Sequence, residues 1–268
     1  MQVLFIGDIV GAPGRRAVRT LLPLLRKRYA PALIVANAEN AAGGQGITPA
    51  LCDELLGYGV DVLTLGDHVW DQKDLAPRLR TEPRVLRPIN LPPDCFGRGW
   101  ITCTTPMGPV TVTCALGRVF MPPIADCPFR TLDRWLSELP SDHGPVLVDI
   151  HAEATSEKAA LAWYLDGRVA LVAGTHTHVA TADERVLPRG TAFISDVGMT
   201  GPVNSVIGRD VESILGKFLT GMPVRFKVAR GPAQLSAVVV EINGCGRADR
   251  IVRVAEACTD FDEVAEPS

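Results

Sequence analysis

Short runs of apolar, mostly β-branched residues recur along the chain between longer segments with a helical spacing of apolar positions. Such short runs are typical of buried strands, whereas the longer segments indicate amphipathic helices that open on a proline or a polar residue. The predicted strands are Val3–Ile6, Leu33–Ala36, Val62–Leu65, Val110–Cys114, Val146–Ile150, Val169–Ala173 and Ala192–Ser195. The predicted helices are Pro13–Arg28, Thr48–Leu56 and Thr131–Leu139.

The order of these elements predicts an α/β fold, because strands that alternate with helices form largely parallel sheets. We expect a single domain over residues 1–268. Residues from about 71 to 128 carry ten prolines and only short strand signals, and we interpret them as a small cap or edge element within that domain. Near the end, the runs VRFKVA and LSAVVVEI are separated by a Gly-Pro pair and predict a β-hairpin within residues 223–243.

Charge and composition exclude several classes of protein. The chain has 268 residues and a formal net charge of −3, so no general basic field would attract nucleic acid or an anionic membrane. It has no apolar run of the roughly 20 residues that span a bilayer, and its start lacks the features of a signal peptide, so a cytoplasmic protein is expected. The seven cysteines include no C-x-x-C pair, which favours reduced thiols over disulfides or structural zinc.

Polar, potentially reactive side chains follow five of the apolar runs. Because ligands bind outside the carboxyl ends of strands in open α/β sheets, these side chains are expected to meet at one rim. They comprise four of the chain's five histidines together with acids and an asparagine. The set is Asp8, Glu39, Asn40, Asp67, His68, His151, Glu153, His176 and His178.

Taken singly, most of these residues have ordinary explanations. Asp8 is suited to capping the helix near Pro13, and a lone His68 or His151 is more often a core histidine than a functional one. His176 and His178 are different, since residues two apart in an extended segment share a face and bring two imidazoles together. Mixed imidazole and carboxylate ligands suit manganese, iron or zinc, and so many ligands favour two ions with a bridging carboxylate.

The order of the short motifs resembles that of the calcineurin-like metallophosphoesterases: GD (7–8), GDH (66–68), an isolated His (151) and GTHTH (174–178). Six longer blocks resemble the YmdB-like branch of that family, from residue 1 to about 230. They are FIGDIVGAPGR, NAENAAGGQGIT, HVWD, HAEATSEK, GTHTHVATADERVLP and DVGMTGP. The resemblance implies a sandwich of central β-sheets flanked by helices, with a dinuclear site that hydrolyses phosphodiesters.

Matched residue by residue, the resemblance implies two ligand sets and a proton donor. Asp8, Asn40 and His178 correspond to the ligands of one metal ion. Asp67, His151 and His176 correspond to the ligands of the other, with Glu39 bridging the two and His68 as the proton donor. Asp149, Glu153 and Asp196 are either carboxylates that orient metal-bound imidazoles or ordinary surface and capping groups.

The sequence departs from the family pattern at two positions, with Asp67 in place of the usual Asn and Ala38 in place of the usual Gly. The extra carboxylate lowers the charge of a loaded site, so we expect tighter metal binding and a weaker attraction for an anionic substrate. The implied ions are iron or manganese, with zinc also acceptable to these ligands. The implied substrate is a cyclic nucleotide, most simply a 2′,3′-cyclic one derived from RNA, and the resemblance also implies a homo-oligomer.

Two alternatives remain open from the sequence. One is a regulatory RNA- or nucleotide-binding metalloprotein with little turnover, although no basic or aromatic platform for nucleic acid is evident. The other is a zinc hydrolase that acts on a different bond with one ion per chain.

Overall fold

The computed structural model describes residues 1–122 and 124–259, so Pro123 within the 71–128 segment and the last nine residues of the expected domain lie outside it. Within the described residues the chain forms two stacked β-sheets with helices on their outer faces. The elements in chain order are β1 (Gln2–Ile6), α1 (Gly11–Tyr29), β2 (Leu33–Asn37), α2 (Pro49–Gly57), β3 (Val62–Thr64), α3 (Leu75–Thr81), β4 (Val85–Leu86), β5 (Trp100–Thr105), β6 (Gly108–Leu116), α4 (Pro128–Glu138), β7 (Val146–His151), α5 (Thr155–Leu165), β8 (Leu171–Thr175), β9 (Arg185–Val186), β10 (Ala192–Ile194), β11 (Gly201–Pro202), α6 (Val211–Thr220), β12 (Ala233–Ile242) and β13 (Ala248–Cys258).

Each sheet has a parallel centre. The first sheet has the order β11-β12-β1-β2-β3-β4, with β13 also paired to β12, and β1 to β4 run parallel. The second has the order β5-β6-β7-β8-β10-β9, in which β6, β7, β8 and β10 run parallel. Every parallel centre presents the carboxyl ends of its strands at one edge, which is where α/β proteins bind ligands.

The alternation of side chains along each strand builds the layers. Val3 and Phe5 of β1 face the core between the two sheets, whereas Leu4 and Ile6 pack against the helices outside. In α1 the apolar positions recur at helical spacing, and Ala17, Val18, Leu21, Leu22 and Leu25 are all buried on the first sheet. Helices α4 and α5 cover the second sheet in the same way. The molecule is therefore a four-layer α-β-β-α sandwich.

The predicted α/β class, with central sheets flanked by helices, is confirmed. Each of the seven predicted strands overlaps a strand of the structure, and the three predicted helices correspond to α1, α2 and α4 with small shifts at their ends. The segment of about residues 71–128 contributes α3 and the edge strands β4 and β5 of the first and second sheets. It also contributes β6, an interior strand of the second sheet between β5 and β7.

The predicted hairpin is wrong in its first strand. VRFKVA (residues 224–229) forms no strand of either sheet, and LSAVVVEI lies in β12, between β1 and β13. The hairpin partner is β13, which follows β12 across the turn at residues 243–247. Local alternation identified an extended strand, but the partner depends on the first sheet, where Val238 and Val240 of β12 lie opposite Phe5 and Val3 of β1.

None of the helices within the described ranges is long and apolar enough to cross a bilayer. Six cysteines are free thiols, as the sequence predicted for them: Cys52, Cys95, Cys103, Cys114, Cys127 and Cys245.

Candidate metal centre

The polar residues that follow the strands converge where the carboxyl ends of both sheets meet. The core between the sheets is apolar along most of its length and becomes polar only at this edge, because the inward-facing positions at the strand ends carry polar side chains. Asp8 follows β1, Glu39 and Asn40 follow β2, and Asp67 and His68 follow β3. His151 ends β7, and His176 and His178 follow β8.

One group of ligand-type atoms surrounds the Nε2 atom of His151. This atom lies 2.9 Å from Glu39 Oε1, 3.0 Å from Asp67 Oδ1 and 3.0 Å from His176 Nδ1. The nearest ligand atoms of Glu39, Asp67, His151 and His176 all lie within 4.8 Å of one another. These four side chains form the first half of the site.

The second half contains Asp8, Asn40 and His178. His178 Nε2 lies 3.2 Å from Asn40 Oδ1 and 3.9 Å from Asp8 Oδ1. Asp8 Oδ1 also lies 3.9 Å from His151 Nδ1, so this residue adjoins both halves. All seven metal-ligand candidates of the sequence are therefore brought together in two adjoining groups.

His68 lies beside these groups, with a partly exposed side chain. Its backbone N–H donates to Glu39 Oε2 at 3.2 Å, and its Nδ1 lies 2.8 Å from Asp71 Oδ2. The ring is therefore tethered next to the Glu39 carboxylate and remains accessible from solvent.

Each of the three buried or half-buried imidazoles has a hydrogen-bond acceptor on its outer nitrogen. Thr175 Oγ1 donates its one hydrogen to Asp149 Oδ1 at 2.7 Å, so it must accept from His151 Nδ1, 2.8 Å away. His178 Nδ1 lies 2.9 Å from the Ile207 carbonyl oxygen, and His176 Nε2 lies 3.2 Å from Glu153 Oε2. In the neutral form of each ring, the nitrogen that faces the cluster therefore carries the lone pair, as in metal-ligating histidines.

Asn40 is oriented in the same manner. Its Nδ2 donates to the Gly44 carbonyl oxygen at 3.2 Å, and Oδ1 is the atom turned to His178. Arg209 holds this loop from the other side, since its guanidinium donates to the carbonyl oxygens of Gly43 and Gly44. The amide thus presents its oxygen, the atom that binds metals.

The concentration of charge perturbs the carboxyl groups. Burial raises the pKa of Asp8 to about 7, with further upward contributions from neighbouring carboxylates and an opposing one from His151. Burial also acts against ionisation of Asp67, but hydrogen bonds and charge from His151 and His176 outweigh it and lower the pKa. Burial works against a charged His151 as well, yet Glu39 and Asp67 hold its pKa well above 6.5. A proton on His151 thus balances part of the negative charge.

The residues present fit divalent metal ions. Asp8 Oδ1 is buried and has no hydrogen-bond partner among the described residues, which is costly for a carboxylate oxygen unless a cation binds it. Gly66 adds a second observation, because a Cβ built there would lie 2.2 Å from Glu39 Oε2 and 2.5 Å from His151 Nε2. The backbone between β3 and Asp67 can pass this close to the site only without a side chain.

Sequence reasoning named Asp149 as a candidate supporting carboxylate but missed its partners and the other polar residues behind the ligands. Asp149 is fully buried and accepts hydrogen bonds from Asn37, Thr64 and Thr175, which joins both sheets behind His151. Lys158, inside the block HAEATSEK, is also fully buried. Asn37 and Thr175 could have been recognised from the sequence, because each is a polar residue at the end of an apolar strand. Nothing in the local sequence distinguishes Lys158 from a surface lysine.

Comparison with known proteins identifies the family of the chain. A family model described as YmdB-like protein matches residues 4–254. The chain belongs to the YmdB-like family. A relative from Bacillus subtilis (strain 168), named 2′,3′-cyclic-nucleotide 2′-phosphodiesterase, is 46% identical over 244 residues, which cover 91% of this chain and 92% of the relative.

Solved structures at different degrees of sequence identity share the fold. A phosphatase from Mycoplasma pneumoniae superimposes with a TM-score of 0.90 at 32% identity, covering 96% of this chain and 93% of that one. The 5′-nucleotidase precursor of Thermus thermophilus gives a TM-score of 0.59 at 14% identity over 95% of this chain and 54% of that one, a likeness of fold alone. The predicted sandwich of central β-sheets flanked by helices is thus confirmed.

Proposed function

We propose that this YmdB-like protein is a metal-dependent phosphodiesterase that hydrolyses 2′,3′-cyclic nucleotides. The observation that carries the proposal is the orientation of the three imidazoles, each with its outer nitrogen bonded to an acceptor and its inner nitrogen turned towards buried carboxylates. The name of the Bacillus subtilis relative supplies the substrate class. The substrate of the natural reaction would be a small phosphodiester derived from RNA.

Two adjoining ligand sets support a dinuclear centre with iron or manganese, and zinc as a further acceptable ion. Asp8, Asn40 and His178 would hold one ion, and Asp67, His151 and His176 the other. Glu39 is suited to bridge them, because its carboxylate adjoins His151 and Asp67 and its charge also acts on Asp8. When bound, such ions supply Lewis acidity to the phosphate and make water nucleophilic near neutral pH.

Besides holding the metal ions, the protein would donate a proton to the leaving group of the substrate. Hydrolysis breaks the bond from phosphorus to a ribose oxygen, and that oxygen leaves readily only if it is protonated. His68 would supply this proton. Asp71 holds its Nδ1, so the donor is assigned to Nε2. The partly exposed position of the ring lets it reach a substrate and regain a proton from solvent.

The deciding experiment is hydrolysis of 2′,3′-cyclic AMP by metal-stripped protein before and after addition of Mn²⁺ or Fe²⁺. We expect turnover only with metal, and a loss of about 100-fold or more in Glu39→Gln, because a neutral amide is a poor bridge between two cations. Glu138→Gln, at the exposed end of α4, is the matched control and should keep wild-type activity.

The measurement also distinguishes the regulatory alternative. Folded protein that binds nucleotide tightly and gives no turnover with any of these metals would overturn the proposal in favour of a binding protein. One tightly bound ion per active chain, measured by elemental analysis, would instead reject the dinuclear centre.

A further inference from the structure

A fully buried lysine lies behind the segment that carries His176 and His178. Lys158 of α5 has no exposed surface. Its Nζ donates to the Thr175 carbonyl oxygen at 2.7 Å and to Asp196 Oδ2 at 2.9 Å. Burial of an ammonium group costs free energy unless the group is paired and hydrogen-bonded. The presence of a lysine at this buried position therefore indicates a specific role.

Asp196 also binds Thr177, the residue between the two histidines. Its Oδ2 accepts from the backbone N–H of Thr177 at 3.0 Å and from the Thr177 hydroxyl at 2.8 Å. Its Oδ1 accepts from the Gly198 N–H at 2.8 Å. Asp196 therefore holds Thr177 at two points, while Lys158 holds Asp196 from behind.

The backbone of this segment needs such a restraint. His176 and His178 have φ angles of 98° and 66°, values that residues with a side chain rarely adopt. Conformations of this kind persist only when the surrounding structure imposes them, and they concentrate at ligand-binding sites. The two unusual residues flank Thr177, the one that Asp196 holds.

The close packing around Lys158 is independent support. Gly174 precedes Thr175 in β8, and a Cβ built there would lie 1.7 Å from the Ser195 carbonyl oxygen and 2.8 Å from Lys158 Cδ. The missing side chain lets β8 approach both the residue before Asp196 and the stem of Lys158. The close approach of β8 to Ser195 and Lys158 thus depends on the glycine at position 174.

We propose that Asp196, held by Lys158, is a positioning residue that fixes Thr177 and thereby sets both imidazoles in place before a metal ion binds. This inference rests on the proposed role of His176 and His178 as metal ligands. The two histidines belong to different ligand sets, so one restraint on Thr177 acts on both halves of the site.

The test compares Thr177→Val, which has the same shape without the hydroxyl, with Thr177→Ser, which keeps the hydroxyl. The measurement is the affinity of the metal-free, folded protein for Mn²⁺, by competition with a chromogenic chelator, together with the unfolding temperature of the metal-free protein. We expect Thr177→Val to bind Mn²⁺ about tenfold more weakly, the scale of lost support to a ligand, and Thr177→Ser to stay within about twofold of wild type.

A purely structural role would lower the unfolding temperature of Thr177→Val and leave the Mn²⁺ affinity of the folded chain unchanged, which would overturn the inference. An equal loss of affinity in Thr177→Ser would overturn it too. Lys158→Met should weaken Mn²⁺ binding at least as much as Thr177→Val, and wild-type affinity in a folded Lys158→Met would remove the lysine from the proposal. If wild-type protein itself binds none of Mn²⁺, Fe²⁺ and Zn²⁺, the metal centre of the proposed function is what fails, and this inference falls with it.

Discussion

His68 differs from the other histidines of the site in its surroundings. His151 and His178 are enclosed by the cluster, whereas the His68 side chain is partly exposed and contacts Asp71 beside the site. Its backbone N–H, rather than its ring, contacts Glu39. A role in moving a proton fits this position better than a role in holding an ion.

We expect His68→Ala to lose about 100-fold or more in kcat on a 2′,3′-cyclic nucleotide, since positioned general acids contribute on that order. On an aryl phosphodiester, whose leaving group needs no proton, the same variant should retain most of its rate. Steady-state kinetics on both substrates measure the difference. His143→Ala, which alters the histidine that precedes β7, at the end of this strand opposite His151, is the control and should match wild type on both. Equal losses of His68→Ala on the two substrates would reject the assignment.

At the scale of elements, the site depends on how closely β8 approaches its neighbours. Gly174 is the point of closest approach, because any side chain there would meet the Ser195 carbonyl oxygen. Gly216 is a useful contrast within α6, since a Cβ built at that position meets nothing within 4 Å. The same substitution at the two glycines therefore distinguishes the effect of packing on stability from the effect of backbone entropy.

We expect Gly174→Ala to destabilise the protein by about 1–3 kcal/mol or more, because β8 and the chain at Ser195 must separate to admit the methyl group. Gly216→Ala should stabilise it by about 0.5–1 kcal/mol, the usual gain for alanine over glycine inside a helix. Urea unfolding followed by circular dichroism gives both free energies. A Gly174→Ala variant as stable as wild type would show that the two strands are less tightly packed than described.

At the scale of the whole molecule, the cluster of ionisable side chains at the site links protonation, metal binding and folding stability. The native state holds a proton on His151 that the unfolded chain releases near pH 6.5. The stability from this proton is fully present below pH 6.5 and is lost as the pH rises through the raised native pKa. Asp8, with a pKa of about 7, also makes the protein less stable as the pH rises, up to that pH. The lowered pKa of His178 has the opposite effect on stability, but only below pH 6.5.

The metal-free protein should therefore lose stability between pH 6.5 and 8.5, by up to about 1.4 kcal/mol per pH unit for one proton. Bound metal should reverse the trend, because its ligands must be deprotonated and its binding strengthens as the pH rises. Urea unfolding at three pH values in this range, with EDTA or with Mn²⁺, measures both slopes. A metal-free protein that gains stability over this range would contradict the charge state assigned to His151.

The sequence by itself determined seven of the strands, three of the helices and the placement of reactive residues at the strand ends. Apolar periodicity is a local property, and the parallel strands of one sheet bring their carboxyl ends to one edge. Asp8 and Asp67 of the first sheet could therefore be placed together from their positions alone, and so could His151 and His176 of the second. The order of the motifs further indicated the family.

Only the tertiary structure decided which elements pair and what stands behind the ligands. The partners of β12 are β1 and β13 rather than residues 224–229, because the position of β12 is set by its pairing with β1, far away in sequence. Lys158 carries no local sign of burial, yet packing leaves it inside the protein with Asp196 as its partner. Hydrogen bonds such as that of Asp149 with Asn37 cross from one sheet to the other, and the stacking that makes them is not written in any local pattern.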